Sequence, residues 1–516
     1  MTFSAILPRD AEFDVLHYHI HNGWSIWNGR LDIDLAPAEM HSFLNPTYNA
    51  LVYGLIQALP GPVVAAILAI PQALILPALF YLTRNVTRAI GASYPGWWIL
   101  VVALVGFYCE PQMKLFASIR NDSLGALGFI TALALIIPED GRSPDTKALI
   151  GASLVAGLMM GLKLTNAVYV LGFAAAVMIA VPGLIPRIRA GVICAVSGLS
   201  GILLGGGVWA WTLYEKFGNP VFPMMNGLFG SPDGPDYSFT DTRRVPEGIL
   251  EGLVRPFIFL FDGSIIDEGD YDFFDPRFQI AYLAALLIAA FALWRSRKPG
   301  GHAPLRPALI LVGAVLMAFF AWTYLFSIQR YILVMWLLGP TLALVAAHYF
   351  VPKLPTLHRG HYAILLPAVL LFAVTTQPPM RRVAWTSFTE PYVKVSLPEE
   401  LDLEKSIVLF SGDWPAAFTS VGFPQSATLS HAVVQEWSAA ALVNYRPRIE
   451  MLIEAEADRP VYAVIYDAPK FGVSVATRLK SELDLRLDLA DCVRFETNFD
   501  RPNDGWSICR LGRSLQ

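Results

Sequence analysis

The chain has 516 residues, of which 55% are hydrophobic and only 16% charged, with 38 Lys+Arg against 42 Asp+Glu for a net charge of −4. Soluble proteins carry about 25% charged residues, and a soluble fold this apolar would expose large hydrophobic patches. With a mean hydropathy of +0.48 and no basic excess, composition argues against a soluble enzyme, a disordered chain and a nucleic-acid binder. It describes an α-helical polytopic membrane protein.

A span takes about 20 mostly apolar residues. Residues 1–61 read as an extracytoplasmic first loop with interfacial helices, followed by a transmembrane domain over 62–378. Ten spans are predicted there, at 62–82, 96–110, 115–137, 147–162, 164–185, 190–214, 279–295, 306–327, 330–351 and 361–377. Apolar stretches at 45–60 and 248–262 are too short to cross and read as interfacial or re-entrant helices.

Charge orients the chain. Arg84, Arg88, Arg187, Arg189, Arg295, Arg297, Lys298, Arg306, Lys353 and Arg359 fall in loops on one side, which the positive-inside rule makes cytoplasmic. The first loop, the outer loop 215–278 and everything after 378 then face the periplasm of a bacterial inner membrane. No signal peptide opens the chain, so a further span is expected upstream of Met1, for about 10–11 transmembrane helices in all.

From about residue 395 charges return, and 395–516 reads as a small soluble α/β domain in the periplasm. Strands are predicted at 406–410 and 461–467, an amphipathic helix at 473–485, and a hairpin pairing 492–499 with 505–511. Cys492 and Cys509 lie near cross-strand register and are expected to form a disulfide, whereas Cys109 and Cys194 read as packing residues in spans. The cysteine spacing matches no zinc pattern.

Polar groups at a membrane face are costly and therefore informative. In Phe13–Asn22 a helix would set Asp14, His17, Tyr18 and His21 on one face at i, i+3, i+4 and i+7 spacing. Such a face suits an oriented general base, a divalent cation, or an interfacial helix at headgroup level. Arg120, Asn121 and Asp122 stand near the outer end of the third span and could orient a substrate hydroxyl or cap a helix. Lys163 interrupts two apolar runs on the outer side, where positive charge is disfavoured, and Arg330 sits at the same face. A phosphate ligand would explain both, as would a snorkelling side chain for Lys163. The turn Phe217–Pro223 could rim a pocket, and Asp413–Pro415 of the tail could face the membrane site. No P-loop and no glycine-rich phosphate cradle is present.

The segment FDVLHYHIHNGWSIWNGRLDIDLAPAEMHSFLNP resembles the first extracytoplasmic loop of bacterial multi-span glycosyltransferases of the GT-C superfold, relatives of the dolichyl-phosphate-mannose mannosyltransferases and polyprenyl-phosphate-sugar-dependent enzymes. NDSLGALGFITALALI, GLKLTNAVYVLG, FGNPVFPMMNGLFGSP and FSIQRYILV look like later blocks of the same kind of enzyme. The resemblance covers most of residues 13–350 and weakens in the tail. It implies a GT-C-like fold with Asp14 as catalytic base and Asp122 as a second acidic residue. It makes Lys163 and Arg330, with Arg120 more weakly, ligands of the donor phosphate. Asn121, His17, Tyr18 and His21 complete the expected substrate site, and Asp122 or the histidines could hold a divalent cation. The expected partners are a polyprenyl-phosphate sugar donor, a glycan or lipid acceptor and membrane lipid, with no nucleic acid. The alternative function is a transporter or flippase for lipid-linked sugars.

Overall fold

The computed structural model describes residues 9–266, 275–297, 305–350, 391–412, 414–432, 441–456, 458–467, 471–500 and 505–513. The chain is mostly helical, with a small α/β region at its C-terminal end. Among the described residues, five helices are long and apolar enough to cross a membrane: Gly61–Ala89, Leu184–Phe217, Arg277–Ser296, Arg306–Leu325 and Gln329–Phe350. Four shorter apolar helices, Gly96–Phe107, Asp122–Ile136, Thr146–Leu162 and Leu164–Ala180, correspond to other predicted spans. They are short because polar or turn-forming residues interrupt them. The segment expected to begin a span at 115 stays non-helical until Asp122. The predicted span 361–377 lies outside the described residues.

Sequence features shape the longest helices. Pro71 removes one backbone donor within Gly61–Ala73, and the helix restarts at Ile75. In Leu184–Phe217 a π turn spans Leu203–Gly207, and the helix ends where Gly218 takes φ +67°. Leu199, Leu203, Leu204, Val208 and Trp211 leave one side of this helix exposed and apolar. Its other side meets Thr146–Leu162 through small residues. A Cβ at Gly157 would lie 2.0 Å from the Gly198 carbonyl oxygen, and one at Gly201 would lie 2.3 Å from that of Leu154. The absence of side chains lets the two backbones touch.

The polar residues sort to different ends of the bundle. Arg84 and Arg88 pair with Glu139, and Arg306 donates to the Gly141 carbonyl at 2.7 Å. Asp122 opens the 15-residue helix that ends just before Glu139, so roughly 22 Å separates the two ends at 1.5 Å per residue. The apolar stretches 45–60 and 248–262 form the helices Thr47–Ala58 and Ile249–Ile258, the second with Ile249, Leu250 and Val254 exposed.

In the tail, β1 (Val395–Ser396), β2 (Ile407–Ser411), β3 (Thr428–Ala432), β4 (Val461–Tyr466), β5 (Leu485–Thr497) and β6 (Trp506–Arg513) form one sheet in the order β1-β5-β6-β4-β2-β3. Strands β3, β2 and β4 run parallel, and every residue of β2 is buried, as befits a strand covered on both faces. The predicted helix at 473–485 is Phe471–Leu483, and Asp484 turns the chain directly into β5 at φ +52°. Cys492 faces Cys509 across β5 and β6, and the two are disulfide-bonded. Cys109 is buried and Cys194 partly buried, both as free thiols.

The tail does not stand apart. Val15, Leu16, Tyr18 and Trp24 of the first loop share one hydrophobic core with Phe410, Phe418, Tyr466 and Trp506. Arg30 is fully buried, pairs with Asp34, and donates to the Gln425 and Ala427 carbonyls. Leu35 then pairs with β3, its N–H donating to the Leu429 carbonyl at 2.9 Å, which covers an otherwise open sheet edge. The first loop and the tail are thus one folding unit seated on one end of the helical bundle.

Candidate functional site

Four chain segments bring charge together at that end. Asp14 precedes a π turn, Val15–His19, that leads into the helix Ile20–Trp27. Asp122 is the first residue of Asp122–Ile136, where the helix dipole favours a carboxylate. Lys163 ends Thr146–Leu162, and Arg330 lies on the short turn Gln329–Ile332 ahead of Val334–Phe350.

Their side chains converge. Arg330 Nη2 lies 2.8 Å from Asp14 Oδ2, and Arg330 Nε lies 3.8 Å from Asp122 Oδ2. Lys163 Nζ donates to Asp122 Oδ1 at 2.6 Å. The Tyr18 hydroxyl donates to Asp14 Oδ2 at 3.1 Å. Asp122 Oδ2 is buried with no hydrogen-bond partner among the described residues. The Tyr331 ring lies 5.1 Å from Lys163 Nζ and 4.9 Å from the Arg330 guanidinium carbon, so it flanks both cations. Arg120, the weaker candidate, is bound by Asp10 at 3.0 Å. Asn121 lies beside it at the cavity.

A cavity of about 590 Å³ opens on this cluster, within the range of about 300–1,000 Å³ usual for ligand pockets. Asp14, Tyr18, Arg120, Asn121, Lys163 and Arg330 line it, so the structure brings these six expected residues to one cavity. Its wall carries six basic side chains (Lys114, Arg120, Lys163, Arg243, Arg244, Arg330) against three acidic ones (Glu12, Asp14, Asp241), while Lys114, Arg120 and Lys163 also pair with Glu110, Asp10 and Asp122 outside the lining. Ile202, Leu203, Trp209, Ala210 and Leu213 of the long helix Leu184–Phe217 form an apolar wall. Pro220, Val221 and Phe222 of the predicted aromatic turn line it too, with Phe217 and Phe222 stacked at 4.2 Å.

Three expected residues do not line the cavity: Asp122 is buried against Lys163, and two histidines point elsewhere. His17 turns to His41 and His431, and His21 bonds Ser420 of the tail at 3.1 Å; neither lines the cavity. The physical reason is the π turn, whose i→i+5 bonding gives a wider turn than an α-helix. It brings Tyr18 and His19 round to the cavity beside Asp14, instead of a face with His17 and His21. His19 Nδ1 is held by Asn49 Oδ1 at 2.8 Å. Asp413 lies outside the described residues, while its neighbour Trp414 stacks on Tyr466 within the tail.

Arg243 and Arg244 are cavity residues the sequence reading passed over. The signal was present: two arginines on the predicted outer side break the same charge bias that singled out Lys163. Glu39 and His41 stand two apart in the first loop, but nothing local ties them to His431 in the tail.

Electrostatics set protonation. Burial alone would raise the Asp14 carboxyl, but Arg330, together with smaller contributions from His19, His41 and Lys163, outweighs it and holds the group well below the usual carboxylate range. Burial pushes His17 and His21 down to about 3 and His19 and His41 down to about 4. Near neutral pH Asp14 is a carboxylate and these histidines are uncharged. A carboxylate beside a cation, facing a cavity lined by further basic side chains, can accept a proton from a hydroxyl while the cations hold a phosphate.

Comparison with family models, with curated proteins and with solved structures finds no match to this chain.

Proposed function

We propose that this protein is a membrane glycosyltransferase of the GT-C kind, polytopic with about 10–11 spans in a bacterial inner membrane, its site and tail facing the periplasm. It moves a monosaccharide from a polyprenyl-phosphate donor to an extracytoplasmic glycan or lipid acceptor. The observation that carries this reading is the Asp14–Arg330 pair, 2.8 Å apart, on the wall of a cavity with six basic and three acidic side chains. The apolar wall supports it as well, since the helix Leu184–Phe217 lines the cavity on one side and exposes apolar residues on another. A lipid-linked donor can lay its chain along that helix while its phosphate reaches the basic end.

The chemistry follows from the groups present. A guanidinium has five N–H donors and an ammonium three, so Arg330 and Lys163 can keep their carboxylates and still bind phosphate oxygens. The acceptor oxygen attacks the anomeric carbon from the face opposite the phosphate. Its proton passes to Asp14, the bond from carbon to phosphate oxygen breaks, and polyprenyl phosphate leaves with the electron pair, stabilised by the two cations. Configuration inverts. Asp122, buried with Lys163 at 2.6 Å and Arg330 at 3.8 Å, holds the two cations in place.

The test is transfer by the purified protein in lipid, from a panel of radiolabelled polyprenyl-phosphate monosaccharides to an envelope extract. Transfer from one donor supports the reading. Movement of donor across liposomes without transfer would overturn it in favour of a flippase.

A pH profile gives an independent check. Asp14 loses its charge only as pH falls through its own depressed value. The acid limb of kcat/KM is therefore expected to stay flat from about pH 8 to about pH 5. A fall centred near 6.5 would assign the base to a histidine of ordinary basicity instead.

A further inference from the structure

We propose that His17, Glu39 and His41 bind one zinc ion, with His431 closing the shell, and that this ion clamps the first loop to the tail beside the cavity. The site is separate from the Asp14–Arg330 pair and does not depend on the glycosyltransferase reading.

The three side chains come from two elements. His17 lies in the π turn, and Glu39 and His41 lie in the short turn Glu39–Phe43. One ligand atom from each falls within 4.8 Å of the others. His17 and Glu39 are each 3% exposed. His17 Nε2 is fully enclosed and has no hydrogen-bond partner among the described residues. A buried imidazole nitrogen left without a partner is costly, and a metal bond removes the cost. Glu39 is held at φ +51°, a left-handed conformation that a non-glycine residue adopts only when its surroundings impose it.

The tail offers the fourth ligand, though as the side chains stand only His17, Glu39 and His41 have ligand atoms all within 4.8 Å of one another. His431, on β3, has Nε2 3.3 Å from Glu39 Oε1, and its ring centre lies 6.4 Å from that of His17. Zinc bonds of about 2.0–2.1 Å put tetrahedral ligand atoms roughly 3.3 Å apart, the spacing this pair already has. Three imidazoles with one carboxylate match zinc, whereas magnesium and calcium favour oxygen shells. Four protein ligands leave no open position, which makes the ion structural.

The clamp bears on the cavity through His41. Its ring stacks on Tyr18 at 5.2 Å, and Tyr18 bonds Asp14. The ion is therefore a positioning group, and its presence is read directly as metal.

The experiment uses full-length wild-type protein and the variants His17→Ala, Glu39→Gln and Asp14→Asn, purified from zinc-supplemented cells without chelator. Metal is measured by mass spectrometry. About one zinc per chain is expected in wild type and in Asp14→Asn, and under about a tenth of that in His17→Ala and Glu39→Gln. Should those two variants fail to fold, wild type alone decides. Stripped with chelator and reloaded with cobalt(II), it is expected to give the intense visible bands of a tetrahedral site, which zinc at micromolar concentration then displaces. Folded wild type that carries no zinc and takes up neither metal overturns the proposal. So does zinc retained at full level in folded His17→Ala. Because the readout is metal content, a protein that binds zinc but transfers no sugar would refute the enzyme reading and leave this site standing.

Discussion

Asp14→Asn is expected to lower sugar transfer by about 100- to 10,000-fold, the usual cost of removing a general base. The substitution keeps the size of the side chain, and the amide oxygen still accepts from the Tyr18 hydroxyl, now 3.1 Å from Asp14 Oδ2. It cannot take a proton. With the amide oxygen in the place of Oδ2, Arg330 keeps a neutral acceptor there and stays 3.8 Å from Asp122, so the guanidinium does not become an isolated buried charge. The loss should therefore fall on kcat, with donor KM changed little and the thermal melt close to that of wild type. Turnover near the wild-type level in folded Asp14→Asn would sink the assignment of the base.

Lys163→Met is expected to have the largest effect on stability. Removing one partner of a buried ion pair costs about 3–5 kcal/mol, because the other charge stays behind without compensation. Here that charge is Asp122, whose side chain is 2% exposed and whose close partner is Lys163 Nζ at 2.6 Å; the next cation, Arg330, is 3.8 Å away. The double variant Asp122→Asn, Lys163→Met removes both charges and should recover most of the lost stability. It should not recover donor affinity, since one of the two proposed phosphate ligands is gone. Melting curves of the protein in detergent check the first part, and donor KM checks the second. A single variant melting within about 1 °C of wild type would show that the pair is not buried as described.

How far the sequence could be read follows from the range of each signal. Hydropathy marks helices through local composition, so the spans at 62–82, 190–214, 279–295, 306–327 and 330–351 emerge as long helices. Their ends were harder, because residues 115–121 are apolar enough to belong to a span yet form no helix before Asp122. Lys163 and Arg330 were legible as misplaced charges, but their partners were not. Lys163 meets Asp122 across 41 residues, and no local pattern encodes that distance. The face of the first helix was misjudged because the 3.6-residue period does not hold through a π turn. In the tail, the apolar β2 and β4 stood out, whereas β3, with the sequence TLSHA, is buried only because a neighbour covers it.

The core shared by the first loop and the tail fixes the order in which the molecule can be completed. His21 is bonded to Ser420, 399 residues further along the chain, and Trp24 packs in the same cluster as Trp506. At roughly 5–20 residues per second, about 20–80 s of synthesis separate the two partners. During that interval Val15, Leu16 and Trp24, buried in the finished protein, have no tail to cover them. The helix carrying Asp14 is fastened only once the last strands have emerged, so the cavity is finished after the whole bundle is in place. A chain stopped before β6 would carry every charged residue of the cluster and still lack part of the surface that holds Asp14 against Arg330.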